Sequence, residues 1–283
     1  MSEDTLLLGP APRPQSSEAL TTALRTAVAA ILPKDVAGID RATIAAELEG
    51  STIAHLTLDL TGVTVPTVSK DLLDISLIET ETRSSEPTSI ALTEISADPV
   101  TVAGARVRLS GRVRNLPALW VETTQGQAGL QFPEPDDASS PVSGEGEGSV
   151  DKGELQRAAL TIGRGLAQEM GVTLDDLSLD LSSVSPRELK FFADARVKKG
   201  FIGASAIVSG NATLDDAMNI TCSNLQVSSK NPVINALLGA VKGRIDRFNG
   251  RRISINDHLP AGVRLTHAEF EITDRVTIKG RIG

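Results

Sequence analysis

At 283 residues, with 40% hydrophobic and 23% charged side chains, the chain has the composition of a globular protein able to bury a core. One cysteine, Cys222, excludes an intrachain disulfide framework and multi-cysteine zinc sites, and three scattered histidines (His55, His258, His267) argue against a histidine-built metal centre. Aromatic residues at 2% leave little to stack on bases, and a net charge of -8 opposes nonspecific nucleic-acid binding, so neither a nucleic-acid partner nor a cofactor is expected.

The charge is uneven along the chain. Residues 231–283 hold nine Lys and Arg against five Asp and Glu, a balance of +4, which leaves 19 minus 31, or -12, for the rest. The N-terminus lacks a basic start followed by an apolar run, and no stretch approaches the roughly 18 uninterrupted apolar residues of a membrane span, so the chain as given reads as cytosolic.

Residues 1–17, with three prolines and few large apolar groups, read as a disordered tail ahead of a domain at 18–283. Leu20, Leu24, Val28 and Ile31 then recur at helical spacing up to Pro33. Leu56, Leu58 and Leu60 alternate with Thr57, Asp59 and Thr61, the pattern of a half-wet strand, and further strands are expected at 88–95 and 100–113. Trp120 reads as a partly buried strand residue, with a partner or lipid anchor as the alternative. The stretch Pro133 to Gly153, rich in Pro, Gly, Ser and acids, reads as a flexible acidic loop joining halves 18–132 and 154–283. A second helix follows, striped by Leu155, Ala159, Ile162, Leu166 and Met170, and Leu177–Val184 echoes Leu56–Val63 closely enough to suggest related halves. Strands are expected at 189–197, 202–208, 220–227, 252–255, 263–272 and 276–282; half-wet alternation makes the sheet chiefly antiparallel.

The best-specified helix begins at Asn231 and Pro232 and stops at Gly250, with Val233, Leu237, Leu238, Val241, Ile245 and Phe248 as its apolar stripe. Lys242, Arg244, Arg247, Arg251 and Arg252 crowd its C-terminal half, where cations suit the helix dipole or an anionic headgroup. The acid pairs Asp175-Asp176 and Asp215-Asp216 both follow leucine in turn-like contexts and read as solvated turn or capping residues rather than a catalytic dyad or cation site. Gly163-Arg164-Gly165 lacks the surroundings of a phosphate loop and reads as close helix packing, while Cys222 reads as a small buried hydrophobe. No nucleophile, base or metal motif emerges, and no enzyme is expected.

The run Leu225 to Leu238, the basic helix after it, Ile253-Ser254-Ile255, Leu259 to Leu265 and the closing Val276 to Gly280 resemble the LmeA-like phospholipid-binding family of bacteria. The resemblance implies a tubular lipid-binding (TULIP) relative: an α+β fold in which a strongly curved antiparallel sheet wraps long amphipathic helices. It also implies noncatalytic binding of a phospholipid or fatty acyl chain in a hydrophobic groove between helix 231–249 and the sheet, lined by that helix's apolar stripe and Phe270. The basic residues named above would then make peripheral contact with an anionic membrane. The alternative is a scaffold or protein-interaction module with a filled core, since a dry aliphatic core and an aliphatic groove use the same residues.

Overall fold

The computed structural model describes residues 3–33, 35–66, 78–133, 141–169, 171–199, 202–232, 235, 249–259 and 263–283. It corrects the expected α+β, TULIP-like architecture. The chain is mostly β, 62% strand and 16% helical; among the described residues there are two helices and two sheets, and no long amphipathic helices wrapped by a curved sheet. The physical reason lies in stretches that looked too polar or too glycine-rich to be structured yet carry period-two alternation.

In chain order the elements are β1 (Glu3–Pro10), α1 (Ser17–Ile31), β2 (Thr43–Glu49), β3 (Thr52–Asp59), β4 (Thr64–Val65), β5 (Ile78–Thr80), β6 (Thr82–Val102), β7 (Ala105–Thr123), β8 (Gln127–Gln131), β9 (Ser143–Asp151) and α2 (Lys152–Glu169). There follow β10 (Thr173–Ser185), β11 (Glu188–Lys199), β12 (Ile202–Leu214), β13 (Asn219–Ser229), β14 (Arg252–Ser254), β15 (Leu265–Ile272) and β16 (Arg275–Ile282). The first sheet runs β15-β16-β9-β7-β6-β3-β2, with β8, β1 and β5 branching from β7 and β4 joining β6; the second is the meander β10 to β14. Pairing is antiparallel except where β3 and β4 lie parallel to β6. Because β15 and β16 return to the first sheet, the sheets do not follow the halves 18–132 and 154–283.

Two segments expected to be unstructured are strands. Residues 3–10, inside the expected tail, pair as β1 with β5 and β8. Within the expected loop, Ser143–Asp151 forms β9 between β7 and β16, whereas residues 134–140 lie outside the described set. The sequence Gly144-Glu145-Gly146-Glu147-Gly148 alternates with the strand period, so its carboxylates share one face and its glycines the other. A constructed Cβ at Gly144 would meet the Arg112 carbonyl, so β7 and β9 approach more closely there than a side chain allows. The strand expected over 100–113 instead folds back at Ala103-Gly104, whose φ angles of 49° and 84° define a two-residue hairpin turn of the primed type.

Helix α1 forms as expected. Ser16 caps it by accepting from Ala19 N, and Leu20, Leu24 and Ala27 are buried against Ile44, Ile53, Ile90 and Trp120. Each fully buried leucine contributes roughly 1.5–3 kcal/mol. Trp120 lies in this core, its indole N–H donating to Ser51 O at 2.7 Å and its ring stacked under Arg13. Side chains of α1 also reach the backbone of β2. Ala46 N donates to Thr21 Oγ1, Leu48 N donates to Ser17 Oγ, and Arg25 Nε donates to Ile44 O. In α2 the structure departs from the expected stripe: Glu154, Ala158 and Ala167 are buried and Ile162 is exposed.

Since β5 runs into β6 across Glu81, strands β5/β6, β7, β8 and β1 close on themselves. Buried there, Gln131 Nε2 donates to Thr5 Oγ1 at 2.9 Å and Thr82 Oγ1 at 3.1 Å, and Thr5 Oγ1 bonds Thr80 Oγ1 at 2.7 Å. Gln131→Leu takes a donor from the buried Thr5 hydroxyl and is expected to cost about 1–3 kcal/mol in urea unfolding; an unchanged midpoint would show the network to be slack. Deleting 143–151 with a Gly-Ser bridge is expected to abolish soluble, cooperatively melting protein, because β15 and β16 then lose their place in the sheet. A soluble deletion variant with native circular dichroism would refute that dependence.

Candidate functional site

Directly paired residues of neighbouring strands share a face, so the registers assign the chemistry of each surface. On one face of the second sheet Leu179, Ala193, Val208 and Val227 form a cross-strand row, flanked by Leu177, Ala195 and Ala206 on one side and Leu181, Phe191 and Gly210 on the other. The central row spans four strands and the flanking rows three, an apolar floor about 14 Å by 13 Å at its widest. Gly210 is glycine because Phe191 and Leu225 close over it, within 2.7 Å of where a Cβ would stand. Leu177, Leu179, Leu181, Val208 and Val227 are only half-buried.

The first sheet has a matching apolar face. One row joins Leu58, Ile95, Gly111, Gly146, Gly280 and Ala268, and the glycines of β9 make a shallow trough between β7 and β16. Ile278, on the wall of that trough, is 48% exposed. Contacts at both ends bring the two apolar faces together. At one end, α2 packs Ala158 against Ala103 and Ala105 of the first sheet and Gly163 against Leu174 of the second. At the other, Leu214, Met218 and Ile220 pack against Ala268, Leu265 and Phe270, and Phe270 N donates to Pro186 O.

Of the residues expected to line the groove, Phe270 lies in this second junction, partly buried. Val233, Leu237, Leu238, Val241, Ile245, Phe248, Lys242, Arg244 and Arg247 lie outside the described residues. Arg251 and Arg252 are exposed, Arg252 on β14 opposite Thr221. Ala193, Val208 and Val227 escaped the sequence reading as site residues, although period-two alternation in β11 to β13 marks them.

The other candidates have structural partners. Asp215 Oδ1 accepts from Ala217 N, Asn219 N and Asn219 Nδ2, and the Asn219 bonds hold its carboxyl below the usual aspartate range. Asp216 pairs with Arg187, and Asp175 with Lys198. Arg164 donates to the carbonyls of Leu174 and Asp175, tying α2 to β10. Cys222 sits half-buried opposite Ala212. His55 Nε2 lies 3.0 Å from Glu94 Oε2, whose other oxygen accepts from Arg112 Nε at 2.9 Å. Glu94 and Arg112 line a polar groove of about 680 Å³ on the outer face of the first sheet, where Glu94, Arg112, Glu145, Arg281 and His267 form a cross-strand row. Among the described residues no group of His, Cys, Asp and Glu side chains could hold a metal ion, and no helix is long and apolar enough to cross a membrane.

No family model, no curated protein and no solved structure matches the chain.

The junction made by α2 rests on one buried carboxylate. Glu154 accepts from Arg106 Nε at 2.9 Å, Nη2 at 2.7 Å and N at 3.3 Å, with Arg157 Nη2 at 2.7 Å, and the Arg106 bonds hold its carboxyl below the usual glutamate range. A lowered folded value means stabilisation that is present above the unfolded value and lost as pH falls through the folded one. Glu154→Gln is therefore expected to melt below the parent at pH 7, with the gap narrowing as pH drops below the ordinary glutamate range. A gap independent of pH would show that the charge of Glu154 is immaterial.

Proposed function

We propose that the protein binds, without catalysis, an elongated apolar molecule such as a phospholipid or fatty acyl chain, held against the apolar faces of the two sheets. The observation that carries this reading is the row Leu179, Ala193, Val208 and Val227: an aliphatic surface broad enough for a chain, built on rigid strands, with its large members half-buried. Each methylene sequestered there contributes roughly 0.8 kcal/mol, so affinity needs no polar motif. Small residues in the middle strands of the floor (Ala193, Ala195, Ala206) leave the depth a ligand needs.

The test pairs stability with binding. Native mass spectrometry of detergent-free protein is expected to show co-purifying lipid, and the parent is expected to take up a fluorescent fatty acid. Ala195→Trp and Val208→Trp are expected to lower that uptake while leaving the urea midpoint of the empty protein nearly unchanged. In a filled core the same substitutions are overpacking and cost about 1–3 kcal/mol. Marked destabilisation by both, with no uptake by the parent, would overturn the proposal and favour a protein-interaction module.

A further inference from the structure

The opposite, wet face of the second sheet carries a separate site. On β11 the outward positions read Glu188, Lys190, Phe192, Asp194, Arg196 and Lys198, and Phe192 is the one apolar member, 45% exposed. In a chain whose aromatics amount to 2%, an exposed ring amid polar side chains calls for a cause. Its cross-strand row is Asp180, Phe192, Ser209 and Gln226; the next is Ser182, Lys190 and Asn211.

The backbone is shaped to the same spot. The register between β12 and β13 shifts between Ser209 and Asn211, and within that bulge Asn224 holds a φ of 53°. A bulge re-aims a side chain, and asparagine is the residue that tolerates the left-handed conformation this one requires. Asn224 is thereby brought into the lining of a groove of about 390 Å³ with Phe192, Asn211 and Gln226. Asn211 Nδ2 donates to Glu188 Oε1 at 3.1 Å, which orients its amide. Asp180 and Lys190, the ionised groups among the described lining residues, cancel in charge.

We propose that this groove binds a neutral saccharide. A pyranose ring has an apolar C–H face, which Phe192 can support, and a rim of hydroxyls that both donate and accept. The planar amides of Asn211, Asn224 and Gln226 offer donors and acceptors in pairs, and Asp180 and Lys190 add one strong acceptor and one strong donor. The balanced charge complements a ligand without net charge and gives no counterpart to a phosphate chain. The site lies on the face opposite the aliphatic floor, so it stands whether or not the lipid reading does.

The test is calorimetric titration of the intact chain with short neutral oligosaccharides of glucose, galactose, mannose and N-acetylglucosamine, with a nucleoside as control. At least one saccharide is expected to bind with millimolar affinity. Phe192→Ala and Asn224→Gly are each expected to weaken it at least about tenfold, and Phe192→Tyr to retain it. Both weakened variants should keep the parent's circular dichroism and fatty-acid uptake, since Phe192 is exposed and glycine accepts the positive φ. No saccharide heat at millimolar concentration, equal binding by both variants, or preference for the nucleoside would overturn the proposal.

Discussion

The first sheet depends on β9 having two unlike faces. Glu145 and Glu147 stand on the wet side beside Arg112, Ser110, Arg281 and Lys279, while Gly144, Gly146 and Gly148 leave the other side bare of side chains. At Gly144 a Cβ would strike the Arg112 carbonyl, so β7 approaches β9 there more closely than a side chain allows. Through β9 the C-terminal hairpin joins strands formed more than a hundred residues earlier, and through β15 that hairpin carries the second sheet. The glycine side and the carboxylate side thus serve different ends: close backbone approach on one, solvent and charge on the other.

Much of the local structure was legible. Leucines at helical spacing gave α1, and alternating leucines gave β3 and β10, because a burial period is a property of the residues themselves. What failed was inference from composition. Pro, Gly, Ser and acid content suggested a flexible loop at 133–153, yet within it, at 143–151, period rather than content decides whether a strand can present one face inward, and β9 satisfies the period with glycine in the apolar role. Helix α2 misled in another way. Its stripe predicted the buried face, but Ile162 of that stripe is exposed while Glu154 and the small Ala158 and Ala167 are buried, since a helix set close to a sheet needs small residues and an anchored charge more than bulk. The expected curved sheet around long helices fell with these, because it rested on a resemblance carried by structural motifs and on too low a strand count.

The candidate surfaces were less legible than the elements. An aliphatic floor is assembled from Leu179, Ala193, Val208 and Val227, one from each of four strands, and only the register places them in a row. The outer groove of that sheet depends on a register shift that sequence spacing does not announce. Both sites are products of pairing, and pairing is nonlocal.

The contacts of α1 with β2 bear on the behaviour of the molecule in a crowd. An edge strand offers its N–H and C=O groups to any passing chain, and a broad sheet of high strand content is an invitation to grow into a fibre. Here Thr21, Ser17 and Arg25 occupy Ala46 N, Leu48 N and Ile44 O from the side. A helix cannot be extended by a strand, so at the β2 edge the sheet is sealed by hydroxyls and a guanidinium, and an incoming strand finds these groups already taken.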